Sequence, residues 1–167
     1  MSVRKRLEDA KLLWENGRKE GAWILVLIAA AATSRLRFPN AKSDNEAFRA
    51  FIREVTPTIV DPSKPAIPGG IHVVVNADGR NPMPLDQVVY KHLRCSLLHE
   101  AEVDSNVRLS QSRMVDGKLV ADFCGGSPLV IPDFWVMNLA KAVQDAPENA
   151  ALFAGDPLFQ LNEALQG

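Results

Sequence analysis

The sequence predicts a mainly α protein: an antiparallel helical bundle with a small β-hairpin inserted after a central motif helix. Three observations carry this. Apolar residues recur at helical spacing through most of the chain. The longest apolar run, Ala22–Ala32, falls short of the ~20 residues that cross a bilayer, so it reads as a buried helix. One strong turn dipeptide, Asp116-Gly117, separates two strand-like stretches.

The elements follow in order. Leu7, Ala10, Lys11 and Trp14 place a helix over residues 2–15, closed by Asn16-Gly17. A second helix runs over 19–36, apolar nearly all round through its middle, and Pro39 stops it. Ser43 or Asp44 caps a third, DNEAFRAFIREV, with Phe48, Phe51 and Ile52 on one side. Residues 56–84 hold six of the eleven prolines and read as an ordered surface excursion with one short strand in IHVVVN. The motif helix spans 85–103. The hairpin pairs 107–115 with 118–123, with Met114, Leu119, Ala121 and Phe123 on its packed face and Cys124 buried at its end. Pro132 opens a helix to Gln144, and Asp156-Pro157 starts a last one, LFQLNEAL.

With 167 residues the chain is expected to form one domain, residues 1–167. The net charge of −1 supplies no global basic field for nucleic acid. Two cysteines, Cys95 and Cys124, make no disulfide framework. The first residues form an amphipathic helix, not a secretory signal. The expectation is a cytoplasmic protein without a membrane span. No P-loop, dinucleotide fingerprint or Ser-His-Asp order is present, so no cofactor is expected. Arg4-Lys5-Arg6 reads as a solvated face; Arg35 and Arg37 read as complements to a helix C-terminus, with phosphate binding as the alternative.

The chemistry concentrates in RCSLLHE, residues 94–100. At 100° per residue, Leu85, Val89, His92, Leu93, Ser96, His99 and Val103 form one stripe, and Arg94 stands about 140° from His99. Two readings come from the residues alone. In one, His99 is a satisfied core or edge histidine and Arg94 a solvated side chain. In the other, His92, Cys95, His99 and Glu102 hold a metal. Four ligands in a row on one helix do not converge on a tetrahedron, and no second Cys/His cluster closes the set, so no metal is expected.

A third reading comes from resemblance. Arg94-x4-His99 within YKHLRCSLLHE, after the Ala-rich helix and DNEAFRAFIRE, resembles the HEPN superfamily (higher eukaryotes and prokaryotes nucleotide-binding) over residues 19–144. The resemblance implies a homodimer that brings two motifs together across a twofold axis. It implies a metal-independent endoribonuclease, or an RNA- or nucleotide-binding protein, of a defence, toxin or stress system, with an antitoxin or other protein as a further partner. By that resemblance His99 is the general base for a ribose 2′-hydroxyl and Arg94 holds the phosphate, while Ser96 and Glu100 are candidate substrate contacts. Active members commonly carry Asn or Asp after the arginine. Cys95 stands there in this chain, which leaves a catalytically silent helical interaction module as the alternative.

Overall fold

A computed structural model describes residues 2–161. Helix α1 (Val3–Glu15) buries Val3, Leu7 and Ala10. It ends at Gly17, whose φ of +72° lets the chain reverse at once into α2. Helix α2 (Lys19–Arg37) is the centre of the bundle. It buries Trp23, Val26, Leu27, Ala29 and Ala30 against α1, α3 (Asp44–Val60) and α6 (Trp135–Asp145). Mainly α is therefore the observed class. No helix among the described residues is long and apolar enough to cross a membrane.

Ser43 is the cap of α3: its Oγ accepts the Glu46 N–H at 3.1 Å, while Glu46 reaches back to the Lys42 N–H at 2.8 Å. The helix continues past the expected end at Val55 and takes in Pro57. A proline there has no N–H to give to the carbonyl four residues back. That carbonyl, on Arg53, instead accepts the Ile71 N–H at 3.2 Å, and the Glu54 carbonyl accepts the Ile67 N–H at 2.9 Å. The proline-rich excursion is thus docked on α3 through the acceptors that Pro57 disturbs. It then forms β1 (Val74–Val75), antiparallel to β2 (Met83–Pro84).

The hairpin forms at the expected turn, where Asp116 (φ +50°) and Gly117 (φ +75°) join β4 (Arg113–Val115) to β5 (Lys118–Val120). Its expected length is corrected. Val107–Ser110 leaves the hairpin and becomes β3, parallel to β6 (Leu129–Pro132). Every residue of β6 is buried, and a strand covered on both faces suits parallel pairing. Pro132 therefore ends a strand rather than opening a helix. Met114 and Phe123 of the expected packed face are half exposed, although Phe123 meets the Trp135 ring at 5.4 Å. Cys124 is exposed, not buried.

Past α7 (Ala150–Phe153) the expected last helix does not start at Leu158. The Gln144 side chain accepts the N–H groups of Leu158 and Phe159 at 2.6 and 2.9 Å and donates to the Phe159 carbonyl at 2.9 Å. These bonds hold the backbone out of a helix through Gln160; helix is assigned again at Leu161, and the remainder of LFQLNEAL from Asn162 lies outside the described residues. Arg4 is no solvated side chain either. It pairs with Glu8 at 2.8 Å and donates to the Leu152 and Asp156 carbonyls, which ties α1 to the C-terminal segment.

Arg37 joins three elements by bonding Glu148 at 2.9 Å and Glu54 at 2.6 Å. The Arg37 hydrogen bond is the largest cause holding the Glu148 carboxyl below its ordinary range, against the opposing effect of burial. A carboxyl depressed in the folded state stabilises the fold above its unfolded pKa of about 4.3 and loses that contribution as pH falls through the folded value. Glu148→Gln should therefore flatten the acid limb of stability below about pH 4. Urea unfolding at several pH values checks this: an unchanged acid limb means that the Glu148–Arg37 pair contributes nothing to it.

Candidate functional site

The motif helix, residues 85–99, is not uniform. It starts as α4 (Leu85–Val88), widens to π geometry over Val89–Cys95, and closes as α5 (Ser96–His99). Its buried residues explain the widening. Val88 and Val89, His92 and Leu93, Ser96 and Leu97 recur as pairs every four residues. In a straight α-helix each such step drifts about 40°. The slower winding of i→i+5 bonding keeps all three pairs on the core, and π segments of this kind occur frequently at functional sites.

The winding relocates the residues singled out by the sequence. Leu85, Val89, His92, Leu93 and Ser96 are buried as the stripe requires, but His99 is exposed at the end of the helix. Ser96 is buried as well, which places its hydroxyl on the packed side of the helix. Glu100 is exposed, and its N–H closes the last turn on the Ser96 carbonyl at 2.8 Å. Among the described residues no group of three His, Cys, Asp or Glu could hold a metal ion. His92 points inward and His99 outward, which dissolves the metal stripe.

Arg94 is half-buried and turned toward α3. Its guanidinium carbon lies 5.4 Å from the centre of the Phe48 ring and 5.3 Å from that of Tyr90. The two rings are 5.9 Å apart and tilted by 56°. Its Nε is enclosed and bonds to nothing. The other half-buried arginines behave differently. Arg4, Arg6, Arg37, Arg49 and Arg53 each meet a carboxylate. Among the described residues only Arg94 of this half-buried set is held by aromatic faces and no acid. The Asp44 carboxyl, depressed chiefly by its hydrogen bond from Arg35, also feels the charge of Arg94, as the smallest of the contributions.

Asp86, the second residue of the same helix, is 2% exposed and accepts from Arg49 at 2.7 Å and Arg53 at 3.1 Å. Asp86, Tyr90 and Arg94 thus form one ridge at four-residue spacing, laid against Phe48, Arg49 and Arg53 of α3. The sequence carried this signal, since i, i+4, i+8 is a helix-face pattern. Phe48 serves both the core and the arginine, a double role that its place on the apolar side of α3 does not reveal. No hydrogen bond or ion pair joins Arg94 to His99 among the described residues. The arginine faces α3, and the histidine stands at the solvent end of the helix, about 7 Å further along its axis.

The Rv1289 family model matches residues 2–164. The chain belongs to the Rv1289 family. No curated protein and no solved structure matches it significantly. Membership in the Rv1289 family covers nearly the whole chain and brings no chemistry with it, so the functional reading rests on the geometry of the motif helix. In this Rv1289-family chain that geometry provides an oriented, uncommitted guanidinium and a solvent-exposed imidazole on one helix.

Proposed function

We propose that this protein is a HEPN-like, metal-independent endoribonuclease that works as a homodimer. The observation that carries the reading is Arg94. A guanidinium fixed by two aromatic rings and claimed by no carboxylate is already oriented for an external anion, and its planar fork suits a phosphate. The exposure of His99 supports the second role. An imidazole open to solvent can reach a ribose 2′-hydroxyl and take its proton as the 2′-oxygen attacks phosphorus and the 5′-oxygen leaves. The separation of Arg94 and His99 within one chain fits a site completed by a second copy. A catalytically silent helical interaction module is the second reading. It is favoured by buried Ser96 and by Cys95, which give the phosphate no further donor beside Arg94.

The test is cleavage of structured and single-stranded RNA in the presence of EDTA, with light scattering on the same sample. The expected result is cleavage that survives chelation, leaves 2′,3′-cyclic phosphate ends, and accompanies a homodimer at micromolar concentration. Inert RNA, or a clean monomer, overturns the nuclease reading in favour of the silent module. Cleavage lost on chelation and restored by zinc or magnesium overturns the metal-independent mechanism.

A further inference from the structure

His92 takes no part in the proposed chemistry, yet it is the most enclosed titratable group of the motif helix after Asp86. It is 3% exposed, and its Nδ1 lies 3.0 Å from Asp104 Oδ2. The approach has ion-pair distance without the alignment of a hydrogen bond, and Nε2 meets no partner either. Asp104 belongs to the turn that follows His99. Its other carboxylate oxygen accepts the Asn106 N–H at 2.8 Å, and its carbonyl accepts the Val107 N–H at 2.9 Å. The 92–104 contact therefore closes a loop that contains Arg94, Ser96 and His99. Within that loop Ala101 sits at φ +59°, a left-handed conformation that a residue with a Cβ keeps only where its surroundings impose it. In the loop before the motif helix the Asp78 carboxyl is held below its ordinary range chiefly by the Arg80 and Asn81 N–H groups at 2.8 and 3.0 Å, with the charge of His92 the smallest contribution.

We infer that His92 and Asp104 form a clasp that fixes the turn presenting His99, which makes His92 a positioning residue rather than a catalytic one. Only the consequence for cleavage rests on the nuclease reading; the clasp itself does not. The chain strains at Ala101 and ends its helix at His99 because the turn is drawn back onto the helix body by this contact. Beside it, the last turn is held by the Glu100 N–H on the Ser96 carbonyl and by the packing of Val103 on the core.

The experiment is native-state hydrogen exchange on the full chain with Asp104→Ala, Asp104→Asn and His92→Gln. Asp104 is the partly exposed partner, so its variants keep the test open should the His92 variant fail to fold. In Asp104→Ala the amides of Glu100 and Val107 should lose about tenfold in protection, because both the His92 contact and the charged hydrogen bond from the Asn106 N–H go with the carboxylate, while the amides of α1, α2 and α6 keep theirs; His92→Gln, which spares the Asn106 bond, should show the part of the loss that belongs to the clasp. Asp104→Asn should retain part of that protection. Burial, the largest single effect on the Asp104 carboxyl, raises it, but the Asn106 N–H and His92 together outweigh burial and hold it below its ordinary range, so its carbon resonance should titrate higher in His92→Gln. If the wild type cleaves RNA, Asp104→Ala should lower kcat with little change in KM, because Arg94 is untouched. Unchanged protection at Glu100 and Val107 overturns the clasp, and so does a uniform loss across all helices. A wild type that cleaves no RNA overturns the nuclease reading and leaves the exchange result to decide the clasp.

Discussion

Arg94→Ala is expected to reduce RNA cleavage by about 10²–10³-fold, the usual cost of removing one preorganised electrostatic stabiliser. His99→Ala should cost about 10²–10⁴-fold, as loss of a general base does. The two variants should differ in stability. Arg94→Ala also removes a guanidinium from between Phe48 and Tyr90, worth about 1–2 kcal/mol for a partly desolvated cation–π contact. His99 is exposed, so its replacement should leave the fold within about 0.5 kcal/mol of wild type. Arg94→Lys separates packing from chemistry, since it keeps the charge and loses the planar fork. Steady-state cleavage and thermal melting on the same three proteins provide the check. An Arg94→Ala variant that cleaves RNA as well as wild type would remove the phosphate clamp from the proposed mechanism.

Gly70→Ala should be the most damaging single-methyl change to the fold. Gly70 has φ +76°, and a Cβ built there lies 2.5 Å from Arg53 Cβ, 2.7 Å from the Arg53 carbonyl carbon and 2.9 Å from the Glu54 nitrogen. Two of those three atoms are helix backbone and cannot swing aside. The left-handed conformation alone costs alanine about 1–2 kcal/mol, and the overlap forces the excursion off α3, breaking the Ile71 and Ile67 hydrogen bonds. A loss of about 3 kcal/mol or more is expected, in the range kept for backbone strain and broken networks. Urea unfolding measures it. Gly69→Ala is the matched control, because Gly69 has a similar φ of +79° but nothing within 4 Å of its Cβ. Equal losses in the two variants would show that conformation, and not contact with α3, sets the cost.

The bundle was legible in the sequence because its signals are local. Helical spacing over α1 and α2, Gly17 after α1 and Ser43 before α3 each act within one or two turns. The sequence reading went wrong where the deciding partner is far away in the chain. Val107–Ser110 alternates acceptably for a hairpin arm, and only the buried strand Leu129–Pro132 draws it into a parallel pair. Leu158 and Phe159 suit a helix, but the Gln144 side chain takes their backbone groups first. The candidate site was half legible. Arg94 and His99 could be named from their spacing, whereas their directions could not. Those directions follow from the π segment, and a projection at 100° per residue assumes it away.

That segment carries one residue more per turn of hydrogen bonding than an α-helix does. Such a surplus is what a single-residue insertion leaves when a helix absorbs it instead of extruding a loop. Its removal anywhere within Val89–Cys95 would let i→i+4 bonding resume. Everything after the cut would then turn by about 100° and retreat about 1.5 Å toward the N-terminus. His99 would swing off its solvent-facing side, and His92 would lose its line to Asp104. In this stretch the number of residues matters as much as their identity, so a one-residue deletion that spared both Arg94 and His99 would still misdirect them.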